Sequence, residues 1–103
     1  LLVGGTAGIG RETARLLEQE GYQVLLVGRN ATAGNALASE LNGVFIRADL
    51  SLMQQVRHVA TRIRAIAPTL DLIVHTADVL LTRRQETEEG MEVSIATNYY
   101  GRF

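Results

Sequence analysis

The sequence predicts an α/β fold with a doubly wound parallel sheet, of which about four strands and four helices lie within its 103 residues. Two observations predict it: short apolar runs alternate with longer segments of helical period, and the connections between them are short. Such alternation favours right-handed crossovers between parallel strands. The expected strands are Leu1 to Val3, Tyr22 to Val27, Val44 to Ile46 and Leu72 to Val74.

The first two helices are predicted from apolar spacing and from the residues that end them. The first should run from about Ile9 to Glu20, with Gly21 as its C-terminal cap, because glycine readily adopts the left-handed conformation that closes many helices. The second is expected within Thr32 to Leu41, where Leu37 and Leu41 have helical spacing.

The third helix is predicted from the residues at its two ends, and the fourth from its apolar face. Ser51 and Gln54 have the spacing of a capping box, which predicts the start of the third helix, and Pro68 ends it. The fourth should begin at about Glu88. Its predicted apolar face comprises Met91, Ile95, Tyr99 and Phe103.

Composition places the chain among folded globular domains. Hydrophobic residues make up 47%, charged residues 20%, and the net charge is -1, which excludes a disordered tail and argues against a nucleic-acid or membrane-surface binder. No apolar run reaches the roughly 20 residues of a membrane span. With no cysteine and no acidic or histidine cluster at ligand spacing, we expect no metal site. All ten basic residues are arginines, so these residues cannot supply a lysine amine.

A glycine-rich turn from Gly4 to Gly10 joins the first strand to the first helix. Without side chains the backbone can approach a pyrophosphate, and the helix N-terminus offers unpaired N–H groups and the positive end of the helix dipole. A turn that serves folding alone is the alternative, because glycines also occur in ordinary turns. The candidate phosphate-binding residues are Gly4, Thr6, Ala7, Gly8, Ile9 and Gly10.

The G-x-x-x-G-x-G spacing of this turn resembles that of the short-chain dehydrogenase/reductase family, and three further landmarks follow in the family's order. Asp49-Leu50 matches the acidic–hydrophobic pair after the third strand. His75-Thr76-Ala77-Asp78 aligns with an Asn-Asn-Ala-Gly turn after the fourth strand, and Asn98 and Gly101 match a catalytic asparagine and a nearby glycine. The runs GIGRETARLL and TEEGMEVSIATNYYGRF resemble most the retinol-dehydrogenase-like reductases of that family.

The resemblance implies a Rossmann-type fold and hydride transfer between a nicotinamide cofactor and a carbonyl or alcohol of a small substrate, lipophilic substrates included. It implies that Asp49 and Leu50 lie against the adenine ring and that His75 and Ala77 lie near the cofactor. Asn98 would hold, through backbone and water, the proton path from a lysine.

Three of these residues have simpler alternatives. Asp49 could support the start of the third helix, and Asn98 could bond a neighbouring segment from within its helix. His75 could have a catalytic or pH-sensing role near the cofactor. The simpler alternative is that it hydrogen-bonds neighbouring loops in place of the family's asparagine.

The residues that follow the second strand favour NADP(H) over NAD(H). An acidic side chain there would accept hydrogen bonds from the ribose hydroxyls and repel a 2′-phosphate. Here Gly28 occupies the acidic position and is expected to leave space, while Arg29 offers a planar donor fork suited to a phosphate. The alternative is an exposed loop arginine.

Several residues depart from the family's pattern. Asp78 replaces a glycine, which adds bulk and negative charge beside the cofactor, and Val3 replaces a threonine that opens the glycine motif. The family's Tyr-x-x-x-Lys pair cannot be formed within these residues, because the chain contains no lysine. Tyr99 and Tyr100 are therefore interpreted as packing residues of the last helix.

We expect residues 1–103 to be the N-terminal, cofactor-binding portion of a single Rossmann-fold domain, truncated at both ends, because neither end carries a start or stop signal. The alternatives to an NADP(H)-dependent reductase are a non-catalytic NADP(H)-binding protein and a dehydratase or epimerase of the same superfamily. A homodimer or homotetramer in the cytoplasm is expected from the family, and membrane attachment through a segment outside these residues stays open.

Overall fold

The computed structural model describes residues 1–103, which divide into two compact units. The first unit comprises Leu1–Arg47 and Leu70–Ala77, and the second comprises Ala48–Thr69 and Asp78–Phe103. All four strands and the first two helices belong to the first unit.

The strands of the first unit form one parallel sheet. They are β1 (Leu2–Val3), β2 (Leu25–Gly28), β3 (Val44–Arg47) and β4 (Val74–His75), in the order β3-β2-β1-β4. Because β1 lies between β2 and β4, the strand order reverses at β1, as in Rossmann-type sheets. The predicted α/β fold with a partial Rossmann-like sheet is confirmed.

Two strands begin later than the sequence predicts. β2 starts at Leu25 rather than Tyr22, whose side chain is exposed. β4 is displaced from 72–74 to Val74–His75, and Ile73 is 60% exposed. β4 consists of the two residues that pair with Leu2 and Val3 of β1.

Helices α1 (Gly8–Gln19) and α2 (Ala31–Glu40) agree with the predicted helices to within one or two residues. Gly21 has φ +88° and donates its N–H to the Glu18 carbonyl, which confirms its predicted part in ending α1. Asn30, which the sequence analysis left without a role, caps α2 by accepting the Ala33 N–H. A cluster of buried side chains joins both helices to the sheet: Leu2, Ala14, Val24, Leu26, Leu37, Ala38 and Leu41.

An ion-pair network that the sequence analysis did not predict connects α1 to α2. The Arg15 guanidinium donates to both carboxylate oxygens of Glu40, at 2.7 and 3.1 Å, and to Glu12 at 2.9 Å. The hydrogen bond from Arg15 holds the pKa of Glu40 below its ordinary value.

The second unit contains α3 (Met53–Ile66) and α4 (Val93–Asn98), followed by a 3₁₀ turn at Tyr100–Arg102. The predicted capping box of α3 is wrong. Leu52 is the N-cap, and the Ser51 hydroxyl instead donates to Asp49. The Glu89 carboxylate accepts the Met53 N–H at 2.6 Å and the Gln54 N–H at 3.0 Å.

Helix α4 begins at Val93, five residues after the predicted start. Gly90 has φ +76°, and the Glu92 carboxylate caps the helix by accepting the Ile95 N–H. Three of the four residues of the predicted apolar face, Ile95, Tyr99 and Phe103, are exposed, Phe103 at 90%. The Tyr99 ring makes edge-on contacts with the rings of Tyr100 and Phe103, but Tyr99 and Tyr100 lie after α4 and are 58% and 48% exposed, so they are not buried packing residues of that helix. None of the helices is both long and apolar enough to cross a membrane.

Candidate functional site

The glycine-rich turn connects β1 to α1 without a side-chain cap. The Gly4 N–H donates to the Val27 carbonyl at 2.8 Å, which extends the pairing of β1 and β2 by one residue. Ala7 is the N-cap of α1, in an extended conformation, and its side chain makes no capping hydrogen bond. The first N–H groups of α1 are therefore available to an anion, with the positive end of the helix dipole behind them.

Two glycines of this turn are required by close approach to the segment after β4. A Cβ atom on Gly4, which has φ +90°, would overlap the Ala77 nitrogen and lie 2.6 Å from the Ala77 Cα. A Cβ atom on Gly10 would lie 2.5 Å from the Thr76 hydroxyl and 2.6 Å from the Gly4 carbonyl oxygen. Both distances are far shorter than a normal van der Waals contact, so neither position can carry a side chain in this arrangement.

Gly8 is required for a different reason. It has φ +53°, and a Cβ atom there would meet no atom within 4 Å. Its two neighbours, Ala7 and Ile9, are exposed as well, Ile9 at 81%. The side of Gly8 on which a Cβ atom would lie is therefore open, next to a helix N-terminus without a side-chain cap. This arrangement fits a pyrophosphate, which needs close approach to backbone N–H groups.

The segment after β4 is held against β1 through a single carbonyl. The Val3 oxygen accepts the Thr76 N–H at 2.8 Å, the Ala77 N–H at 3.0 Å and the Thr76 hydroxyl at 3.2 Å. His75, the last residue of β4, pairs with Val3 across the sheet and is partly buried. The predicted residues His75 and Ala77 thus lie beside the glycine-rich turn, within the first unit.

At the end of β2, Gly28 is buried and Arg29 is exposed. The expectation that Gly28 leaves open space is wrong, because the Thr6 side chain covers it. A Cβ atom on Gly28 would lie 2.7 Å from Thr6 Cγ2 and 3.3 Å from Thr6 Oγ1. The structure therefore brings together, in the first unit, Thr6 of the turn and Gly28 at the end of β2.

The remaining predicted residues belong to the second unit. Asp49 Oδ1 accepts the Ser51 N–H at 3.0 Å and the Ser51 hydroxyl at 2.7 Å, and the Asp49 N–H donates to Gln55. Asp49 thus organises the start of α3, which was the simpler of its two sequence-based interpretations. Leu50 is buried at 6% exposure.

Asn98 and Asp78 both contact Val79. Asn98 Nδ2 donates to the Val79 carbonyl and Oδ1 accepts the Val79 N–H, each at 2.9 Å. Asp78, which stands where the family has glycine, is exposed and also accepts the Val79 N–H, at 3.0 Å. Asn98 therefore bonds a neighbouring segment from within its helix. Its role in a proton path stays a prediction.

No group of three or more histidine, aspartate or glutamate side chains is placed to hold a metal ion.

A model of the short chain dehydrogenase family matches residues 1–103. The chain belongs to the short-chain dehydrogenase family. Members of this family are oxidoreductases that use NAD or NADP.

Two similar members of the short-chain dehydrogenase family are mammalian. The chain is 34% identical to polyprenol dehydrogenase from Mus musculus and 32% identical to retinol dehydrogenase 12 from Bos taurus, in both cases over 110 residues and 100% of this chain. These alignments cover 33% and 35% of the two relatives, so the chain spans about a third of their length.

A solved structure of another short-chain dehydrogenase supports the same fold. The short-chain dehydrogenase from Sphingobium yanoikuyae in complex with NADPH is 25% identical and superposes with a TM-score of 0.81. The match covers 97% of this chain and 42% of that one.

Proposed function

We propose that the chain is the N-terminal, cofactor-binding portion of an NADP(H)-dependent oxidoreductase that transfers hydride between the nicotinamide and a carbonyl or alcohol of a small substrate. The observation that carries the choice of cofactor is the end of β2, where a buried glycine, Gly28, is followed by an exposed arginine, Arg29. An NAD-selective site would carry an acidic side chain there.

The glycine-rich turn would hold the pyrophosphate. Backbone N–H groups at the start of α1 would donate to its oxygens, and the open outer side of Gly8 would let those oxygens approach. Thr6, Ala7 and Ile9 would line the same turn, with Gly4 and Gly10 keeping it against the loop after β4. When bound, the nicotinamide would supply or accept the hydride.

Arg29 would bind the 2′-phosphate. Its guanidinium is always charged and presents several N–H donors in one plane, which matches the oxygens of a phosphate. Arg29 directly precedes Asn30, whose side chain caps α2, so the position of its backbone is well defined. The family pattern further supports a contact of the adenine ring with Asp49 and Leu50. By the same pattern, His75 and Ala77 would lie near the cofactor.

The names of two relatives support a lipophilic substrate. Polyprenol and retinol, after which the relatives from Mus musculus and Bos taurus are named, are both lipophilic alcohols. We therefore propose a lipophilic alcohol, or the corresponding aldehyde or ketone, as the substrate class.

A non-catalytic NADP(H)-binding protein is the second candidate. One observation favours it: Asp78 places an exposed carboxylate where the family has glycine, and its side chain is engaged with the Val79 N–H. A dehydratase or epimerase of the same superfamily would bind the same cofactor. Its reaction products would distinguish it from a reductase.

Two measurements on the full-length protein test these alternatives. Calorimetric titration with NADPH and with NADH should show tighter binding of NADPH, and a preference for NADH would overturn the choice of cofactor. NADPH oxidation should then be followed against lipophilic aldehydes and ketones, with product analysis by mass spectrometry. Tight NADPH binding without turnover of any of these would favour the non-catalytic protein.

A further inference from the structure

The side chain of Thr6 lies over the Cα atom of Gly28, at the end of β2. If Gly28 carried a Cβ atom, that atom would lie 2.7 Å from Thr6 Cγ2, 3.3 Å from Thr6 Oγ1 and 3.6 Å from Thr6 Cβ. The first distance is shorter than real side chains show, the second is tight, and the third is an ordinary contact. Only the two branches of the threonine side chain oppose a side chain at position 28.

The backbone of Gly28 does not itself require glycine. The glycines with positive φ are Gly4, Gly8, Gly21 and Gly90, and Gly28 is not among them. Gly28 continues the regular parallel pairing of β2 with β3, opposite Arg47. An L-residue would therefore fit the backbone conformation, and the atoms nearest to its Cβ atom would all belong to Thr6.

We propose that Thr6 and Gly28 form a specificity-determining pair, in which the Thr6 side chain occupies the place that an acidic side chain at position 28 would need. This inference rests on the proposed function, because it concerns the choice between NADPH and NADH at the same site. The glycine-rich turn thus does more than approach the pyrophosphate. It also helps to exclude the carboxylate that would select NAD(H).

The distances say which change at Thr6 would admit an acidic residue. Thr6→Ala removes both Cγ2 and Oγ1 and leaves Cβ, whose 3.6 Å distance is an ordinary contact. Thr6→Ser removes Cγ2 only and leaves the hydroxyl at 3.3 Å. Introducing the carboxylate alone, in Gly28→Asp, would force threonine or aspartate out of position, so that the carboxylate would reach the ribose hydroxyls poorly.

The test compares Gly28→Asp in the presence of threonine, serine and alanine at position 6, in the full-length protein. For each protein, with glycine or aspartate at position 28, calorimetric titration gives the ratio of NADH affinity to NADPH affinity. This ratio cancels any contact of Thr6 with the pyrophosphate, which the two cofactors share. We expect Gly28→Asp to raise the ratio by at least about tenfold more in the Thr6→Ala background than in the native one, with Thr6→Ser between them.

A second readout needs no nucleotide. Gly28→Ala adds only the Cβ atom, and we expect it to lower the melting temperature by about 2–4 °C in the native background. In the Thr6→Ala background the loss should be much smaller, because the two crowded atoms are gone. This comparison also shows whether the variants fold.

The outcomes distinguish a failure of the proposed function from a failure of the Thr6–Gly28 specificity-determining pair. If the native protein binds neither nucleotide or prefers NADH, the proposed function fails, and the inference about cofactor choice fails with it. If the native protein prefers NADPH but Gly28→Asp changes the affinity ratio equally in all three backgrounds, only the specificity-determining pair is overturned. If Gly28→Asp does not fold alone, Thr6→Ala/Gly28→Asp must still fold and exceed Thr6→Ala in the affinity ratio, or the inference is wrong.

Discussion

Asn98 uses both ends of its side-chain amide on the backbone of one residue, Val79. The Nδ2 group donates to the Val79 carbonyl and Oδ1 accepts the Val79 N–H, each at 2.9 Å. A side-chain amide carries both a donor and an acceptor, so one asparagine can satisfy the N–H and the carbonyl of the same backbone residue. In the second unit, the end of α4 is thereby fixed to the segment after Ala77.

Replacing Asn98 with leucine should destabilise the protein. The Val79 carbonyl would lose its donor and the Val79 N–H would keep only Asp78 as an acceptor, so we expect the free energy of unfolding to fall by about 1–3 kcal/mol. Chemical denaturation of the full-length protein measures this directly. Asn35, exposed on α2, provides the matched control, since Asn35→Leu should leave the stability nearly unchanged. Equal effects of the two substitutions would show that the Val79 contact does not contribute.

Replacing Arg29 with aspartate should weaken the binding of NADPH relative to that of NADH. The substitution removes the proposed phosphate donor and adds a repelling charge, so NADPH affinity should fall by at least about tenfold relative to NADH. Parallel titrations of the full-length protein with both nucleotides give this ratio. Arg62→Asp makes the same charge change at an exposed position of α3 and serves as the control. An unchanged ratio in Arg29→Asp would refute the role of Arg29.

Replacing Glu89 with alanine should loosen the start of α3. Its carboxylate accepts the Met53 and Gln54 N–H groups, which is the work of an N-cap side chain. The loss of an N-cap costs about 1 kcal/mol of unfolding free energy. Glu88→Ala, at the exposed neighbouring position, should cost much less. Denaturation curves of the two variants, and amide hydrogen exchange at Met53 and Gln54, would test the cap.

The cap at the start of α4 should make stability depend on pH. The backbone N–H of Ile95, and after it that of Ser94, hold the pKa of Glu92 below its ordinary value. A lowered pKa in the folded state means that the ionised carboxylate stabilises the fold at any pH above its unfolded pKa of about 4.3. This contribution is lost as the pH falls through the lowered folded pKa.

The measurement is the difference in melting temperature between the native protein and Glu92→Gln as a function of pH. The native protein should melt higher at neutral pH, and the difference should shrink as the solution becomes acidic. A difference that stays constant down to the most acidic pH would contradict the role of the ionised carboxylate.

The sequence predicts those parts of the fold whose cause is local. Apolar runs and helical periods locate the strands and helices, and Gly21 ends α1 as glycine is expected to. The glycine-rich turn is recognisable because its spacing is tied to one strand and one helix. These features depend on residues within a few positions of one another.

The features that the sequence analysis missed depend on distant residues. The cap of α3 comes from Glu89, 36 residues after Met53, and no local pattern marks it. Thr6 covers Gly28 only because β1 and β2 are neighbours in the sheet. The local capping-box pattern at Ser51 was misleading because Asp49, two residues earlier, takes the serine hydroxyl.

The contact of the glycine-rich turn with the loop after β4 has a consequence for folding. The Val3 carbonyl accepts hydrogen bonds from the N–H groups of Thr76 and Ala77, and Thr76 lies 73 residues after Val3 along the chain. Long-range contacts of this kind form late, because a long loop must first close. A turn that is continuous in sequence therefore acquires its final shape only when β4 pairs with β1, so during folding the capacity to hold a dinucleotide should appear with β4 rather than with β1 alone.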